Sequence, residues 1–333
     1  MRRLFSLFFT LLLLLPLSAC KDERSLPQLN SIGNTSPAQP ADSNPPPEAQ
    51  KTIALVMKTL TNPFFIAMEQ GARRAERQLG MRLLVKAAAQ ETSIEQQIQI
   101  VNELIEAKVD AIIIAPGDSD RLVPVLKKAA DAGIKLVNLD NQLDPKTVQQ
   151  MGLAPIPFVS VDNEQAAYAA VRWLRQGLPA GTPALLLEGI RSAENARQRS
   201  QGAVRALAEA PAMRLLASES AHWKIDEGYT LTQELLQRHP QAKLIYAAND
   251  MMALGAIRYL QEQGRRDVKV GGFDAIAEAQ TALRQGWLHV TVDQQATEQG
   301  FQGMMLADRL LRGETVPDVT LINAELVTAQ TLR

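Results

Sequence analysis

At 333 residues, with 46% apolar and 21% charged positions, the chain is long enough for about two domains and too apolar to be disordered. Its formal charge of −1, from 35 basic and 36 acidic residues, lacks the basic excess of a nucleic-acid binder, so no nucleic-acid partner is expected. One cysteine excludes an internal disulfide, and His222, His239 and His289 are too scattered for a zinc site, so neither metal nor cofactor is expected.

The first predicted element is a processing signal. Met1-Arg2-Arg3 is positively charged, and the stretch from Leu4 to Leu17 is apolar except at Ser6, Thr10 and Pro16. It is short for a membrane span and reads as the core of a secretory signal over residues 1–19. It closes on Leu17-Ser18-Ala19-Cys20, which resembles the bacterial lipobox. That resemblance implies that Cys20 is lipidated and becomes the N-terminus, with acyl chains that anchor the protein to a membrane. Residues 20–50 follow, with Pro27, Pro37, Pro40, Pro45, Pro46 and Pro47 among polar neighbours. So many prolines with so few apolar side chains predict an extended tether rather than a core.

From residue 51 onward the pattern alternates. Strands are predicted at 52–57, 81–87, 110–116, 135–140, 158–162, 184–189, 213–220, 242–250, 268–274 and 289–294, each a short run of apolar residues. Between them, helical spacing predicts helices over 64–79, 91–107 and 119–132, and helices starting at 163, 194, 224, 251 and 275. A polar crossover separates the fourth and fifth strands. Continuous apolar strands alternating with amphipathic helices predict parallel sheets covered on both faces, an α/β fold. Such sheets bind ligands beyond the carboxyl ends of their strands.

The strand ends carry Lys58, Asn62 and the pair Phe64-Phe65, then Asp140-Asn141. Further on come Arg197 and Trp223, then Asn249, Asp274 and Gln294. Carboxylates, carboxamides and a guanidinium hydrogen-bond hydroxyls in pairs, and aromatic faces cover apolar ring surfaces. No nucleophile elbow, phosphate-binding glycine loop or matched pair of catalytic carboxylates is legible. The inventory therefore points to sugar binding without chemistry. Two consecutive aromatics cannot both face one core from a helix, so one of Phe64 and Phe65 is expected in the cleft. Asp250, just before a helix, is read as its cap. Arg191, Arg199 and Arg205 are read as solvated helix charges.

The motifs T-N-P-F-F (61–65), N-L-D (138–140), A-N-D-M-M-A-L-G-A (248–256) and G-G-F-D (271–274) together resemble the periplasmic pentose/hexose-binding family, which includes ribose-, galactose- and allose-binding proteins. The stretches 56–65 and 137–144 are most similar to the allose-binding branch. The resemblance implies a type I periplasmic-binding fold: two similar Rossmann-like lobes joined by a three-segment hinge, closing on a sugar. It places the lobes at 51–161 plus 295–322 and at 162–294 plus 323–333. It also implies ligand contacts at Lys58, Asn62, Phe65, Asp140, Arg197, Trp223, Asn249, Asp274 and Gln294, with Phe64 lining the cleft. Asn141 and Phe65 depart from the side chains common at their positions, which bears on the identity of the sugar and not on its class. The expected protein is an exported, lipid-anchored monomer. It would capture a monosaccharide for the permease of an ABC importer, or in a second reading for a histidine kinase or chemoreceptor. A buried ammonium at Lys58 demands an acceptor. Assigned to a ligand hydroxyl, that demand favours an allose-like hexopyranose over ribose.

Overall fold

The computed structural model describes residues 50–209 and 212–332; the export signal expected at 1–19, Cys20 and all of the expected tether except Gln50 lie outside the described residues. In chain order the elements are β1 (Thr52–Met57), α1 (Pro63–Leu79), β2 (Arg82–Ala87), α2 (Ile94–Glu106), β3 (Ala111–Ile114), α3 (Val123–Asp131), β4 (Lys135–Leu139), α4 (Pro145–Gln150) and β5 (Phe158–Ser160). They continue with α5 (Asn163–Leu174), β6 (Pro183–Glu188), α6 (Glu194–Ala208), β7 (Arg214–Ser220), α7 (Ile225–Arg238), β8 (Leu244–Ala247), α8 (Asp250–Glu262), β9 (Lys269–Gly271), α9 (Ala277–Arg284) and β10 (Thr291–Asp293). The chain ends with α10 (Ala296–Leu311), β11 (Val319–Leu321) and β12 (Glu325–Val327).

Two parallel sheets organise the body. One has six strands in the order β11-β5-β4-β3-β1-β2, and the other has four in the order β7-β6-β8-β9. Their central strands are buried on both faces: Ala111–Ile114 and Leu244–Ala247 have no exposed position. Alternation is therefore absent from these strands and the apolar runs are continuous. Helix α1 shows why local chemistry sets the boundaries. Asn62 caps its N-terminus, Pro63 fills the first turn where a missing N–H costs nothing, and Gly80 at φ 67 ends it in the left-handed conformation.

The chain passes between the two halves three times. It leaves the six-stranded sheet after β5 and enters α5, which packs on α6. It returns after β10 into α10, which packs on α1, and crosses once more between β11, paired with β5, and β12, paired antiparallel with β10. The result is the two-lobed α/β architecture expected from the sequence. Four elements were not individually legible. The crossover after β4 contains the short helix α4, started by Asp144, whose Oδ1 accepts from the Thr147 N–H, and by Pro145. The segment after 294 supplies α10 and then two three-residue strands, β11 and β12. Among the described residues, no helix is long and apolar enough to cross a membrane.

Candidate functional site

Lys58, Asn62, Phe64 and Asp140 from the first lobe and Trp223, Asn249, Asp274 and Gln294 from the second line one cavity of about 20 Å³. That is room for a single water molecule. Glu91, Asn195 and Arg199 complete its wall. A groove of about 340 Å³ shares Asn62, Glu91 and Trp223 with it and opens past Thr61, Gln90, His222 and Ile225. A larger hollow, about 590 Å³, lies between α1 and the 274–277 turn. The buried charged groups converge on the small cavity, which is therefore the candidate site.

In the first lobe, Lys58 Nζ lies 2.7 Å from Asp140 Oδ2, and both side chains are almost wholly buried. The residues follow β1 and β4, two places apart in the sheet, so their side chains meet over the end of β3. The buried ammonium thus has its acceptor inside the protein. Asp140, and not the extra ligand hydroxyl expected from the sequence, is that acceptor, so Lys58 gives no ground for choosing a hexose over a pentose. Asp140 has a left-handed backbone, φ 61, and Ser160 Oγ donates to its carbonyl at 2.8 Å. Asn62 serves twice. Its Oδ1 accepts from the Phe64 N–H at 3.1 Å, and its Nδ2 donates to Glu91 Oε1 at 3.1 Å. Phe64 and Phe65 meet edge to face at 5.1 Å. Phe64 lines the cavity, whereas Phe65 is turned into the core, with Lys58 Nζ 5.7 Å from its ring centre. Burial pushes the Glu91 carboxyl above its ordinary range, against the pull of the Lys58 charge.

The second lobe is organised by Arg199, which is 2% exposed. Its Nε donates to Asn163 Oδ1 at 2.9 Å, Nη1 to the Ala248 carbonyl at 2.9 Å, and Nη2 to Gln294 Oε1 at 3.3 Å. The guanidinium stacks 3.8 Å from the Phe273 ring centre and lies 3.6 Å from Asp274 Oδ1. Arg197, expected in the cleft, is not there. Its side chain is 37% exposed and its Nε donates to Glu194 Oε2 at 2.8 Å. At 3.6 residues per turn it points about 200° away from Arg199. The correct arginine lies in the buried stripe of Asn195, Ala196, Gly202, Ala203 and Ala206, a small-residue pattern that could have identified it.

Trp223 closes the cavity from a left-handed backbone, φ 69. Its indole lies flat on Gly189, where a Cβ would come within 2.1 Å of the ring, so only glycine fits there. Asn249 caps α8, with Oδ1 accepting from the Met252 N–H at 2.9 Å and Nδ2 donating to the Trp223 carbonyl at 3.2 Å. The cap is thus Asn249, and Asp250, read from sequence as the cap, is the buried first residue of the helix. Gln294 Nε2 donates to Asp274 Oδ1 at 2.7 Å. Burial raises the Asp274 carboxyl well above the usual range, opposed by Arg199.

Asn141 is fully buried but does not line the cavity. Its Nδ2 donates to the Pro116 carbonyl at 3.0 Å, and its Oδ1 accepts from the Asn195 N–H at 3.1 Å. The residue therefore latches one lobe to the other. Asn195 Nδ2 adds a second bridge, donating to Asp140 Oδ1 at 3.2 Å. Glu91 and Asn195 were absent from the sequence reading. Glu91 follows the end of β2, so the strand-end rule applied there would have found it; Asn195, at the start of α6, gave no such signal.

Three carboxyl groups, an ammonium, a guanidinium and several amides thus face a space bounded by Phe64 and Trp223. Trp223 Nε1 and Asn195 Oδ1 are buried without a hydrogen-bond partner, leaving one donor and one acceptor free to meet a small polar molecule. Among the described residues, no group of three or more His, Cys, Asp or Glu is placed to hold a metal ion.

The periplasmic binding protein domain matches residues 53–315. A D-ribose/D-allose-binding protein of Pseudomonas aeruginosa is 40% identical over 266 residues, 79% of this chain and 83% of that protein. The ribose import binding protein of Escherichia coli is 32% identical over 282 residues, 85% of this chain and 92% of its own length. Among solved structures, an ABC transporter periplasmic solute-binding protein from Actinobacillus succinogenes with bound D-allose superposes with a TM-score of 0.80 at 35% identity, covering 84% of this chain and 98% of that one.

Proposed function

The chain belongs to the periplasmic binding protein family, among the sugar-binding, solute-binding proteins of ABC transporters, and on that premise we propose that its cavity captures an aldopyranose of the allose and ribose configuration. The observation that carries this reading is the convergence of one buried cation–carboxylate pair from each lobe on a single cavity flanked by Phe64 and Trp223. Vicinal hydroxyls are matched by bidentate carboxylate and guanidinium groups, and an aromatic face covers the apolar side of a ring. D-Ribose and D-allose share their configuration at the second, third and fourth carbons, so a site complementary to one presents the same acceptors to the other. D-Allose is the first candidate, supported by the D-allose bound to the A. succinogenes protein.

A cavity the size of one water cannot admit a sugar while the lobes are latched. Asn141 and Asn195 must part for entry, and the side chains that wall the cavity must give way to the sugar before the lobes close around it, the three crossings acting as the hinge. Closure is then driven by the bonds that only the closed form makes. No bond of the sugar is broken, and the closed form is presented to an importer permease. The lipobox ending in Cys20 supports a lipid anchor at the membrane, with the protein acting as a monomer.

Calorimetric titration of the Cys20→Ser full chain with D-allose, D-ribose and D-galactose tests the ligand. Saturable binding of D-allose and D-ribose with much weaker D-galactose binding is expected. Failure to bind either of the first two overturns the reading. The same variant should leave the membrane fraction, and persistence there after a carbonate wash refutes the anchor.

A further inference from the structure

The turn that presents Asp274 is strained. Asp274 has φ 124 and Ala275 φ 55, conformations that side-chain-bearing residues seldom adopt. Such a turn persists only where its surroundings over-determine it. The structure shows what does so here: a fully buried carboxylate behind the turn, Asp250, which does not line the cavity.

Asp250 holds the turn from both ends. Its backbone N–H donates to the Phe273 carbonyl at 2.7 Å, and its Oδ2 accepts from the Ile276 N–H at 3.1 Å. Between these, the Ala275 N–H donates to Thr291 Oγ1 at 3.2 Å, and that hydroxyl donates onward to Asp250 Oδ1 at 2.7 Å. One hydroxyl thus relays the turn's central amide to the carboxylate. The fit is close on the other side too, since a Cβ at Gly272 would lie 2.2 Å from Asp250 Oδ1. The titratable groups facing this carboxylate are Tyr246 on β8 and Asp274 on the turn itself.

We propose that Asp250 and Thr291 form a positioning relay that locks the 273–276 turn so that the Asp274 carboxylate faces the sugar. The inference rests on the reading of the cavity as a sugar site. The relay touches no ligand. It acts by denying the turn the relaxed conformations in which Asp274 would swing out of register with Arg199 and Gln294. An ionised carboxylate suits the task because it only accepts, and both of its oxygens are used by donors of the turn or of Thr291.

Thr291 is the position to change, because valine keeps its shape and removes only the hydroxyl, and serine restores the hydroxyl without the methyl. In the Cys20→Ser full chain, amide exchange without sugar and calorimetry with D-allose are measured for Thr291→Val and Thr291→Ser. Thr291→Val should speed exchange at Ala275 about tenfold and weaken D-allose binding about tenfold, the scale of one lost buried hydrogen bond. Thr291→Ser should recover most of both. Unchanged exchange and affinity in Thr291→Val overturn the relay, as does faster exchange with unaltered affinity. Equal losses in the valine and serine variants also overturn it, because methyl packing would then be responsible. If the parent protein binds neither D-allose nor D-ribose, the sugar assignment fails, while the exchange arm still decides whether the relay holds the turn. Asp250→Asn, which turns one acceptor into a donor, should give the same exchange signature at Ile276.

Discussion

The two lobes each bring a buried cation and a carboxylate to the cavity, but they hold them differently. In the first lobe Lys58 and Asp140 are in direct contact at 2.7 Å. In the second, Arg199 is held by Asn163, the Ala248 carbonyl and Gln294, while Asp274 stands off at 3.6 Å with its own bond from Gln294. A guanidinium held by neutral acceptors keeps its place whatever Asp274 does. An ammonium paired only with its carboxylate must share that partner when hydroxyls arrive. The contrast predicts that the second lobe is the preorganised half of the site and that the first is the half that rearranges on binding.

The sharpest way to break this contrast is Arg199→Met. It strips partners from Asn163, Gln294 and the Ala248 carbonyl and leaves Asp274 without a counter-charge. The expected cost is about 3–5 kcal/mol of stability, the range for breaking a buried pair, with sugar binding lost; chemical denaturation and calorimetry report both. Lys58→Met should cost less, on the order of 1.5–3 kcal/mol, because Asp140 keeps its bond from Asn195 and borders the cavity. Equal losses in the two variants, read from denaturant midpoints, would erase the distinction between the lobes.

Acidification acts on both halves together. Burial raises Glu91 in the first lobe and Asp274 in the second, and it raises Asp250 behind the turn to about 7. A carboxyl with a folded pKa above its unfolded value takes up protons on folding, so its contribution to stability is present at low pH and fades as pH rises through the folded pKa. The sugar-free protein should therefore gain stability from these groups between pH 8 and 5.5, while sugar affinity, which needs the carboxylates as acceptors, falls. Thermal unfolding and titration across that range decide it, and parallel trends would contradict the assignment. The smallest effect belongs to Arg197→Ala. A half-exposed i,i+3 pair contributes about 0.5 kcal/mol or less, so stability and sugar affinity should stay at parent values. A large loss of affinity would restore Arg197 to the site.

Much of the fold was legible because strands buried on both faces must be continuously apolar. β1 over Thr52–Met57 was read to the residue, and β6 and β7 to within one at each end. The short helix α4 was not, since six residues among polar neighbours leave no period to detect. In the site, Lys58, Asn62, Phe64, Asp140, Trp223, Asn249, Asp274 and Gln294 were predicted and do line one cavity. Phe65 and Asn141 were placed one position too generously, because a motif gives neighbours without saying which of them turns inward.

The sequence by itself determined the alternating α/β body and the identity of its strand ends, since burial on both faces and helical period are properties of short stretches of chain. It also determined that those ends carry carboxylates, carboxamides, a lysine and aromatic rings. Only the tertiary structure decided which arginine of α6 faces the cavity, because helix rotation is set by the packing of Ala203 and Ala206 and not by the charge itself. It alone decided that the partner of Lys58 is Asp140, which lies 82 residues away in sequence, and that Asp250 stands behind the Asp274 turn rather than capping its helix. Those are relations between strand ends and loops far apart along the chain, and local pattern carries no information about them.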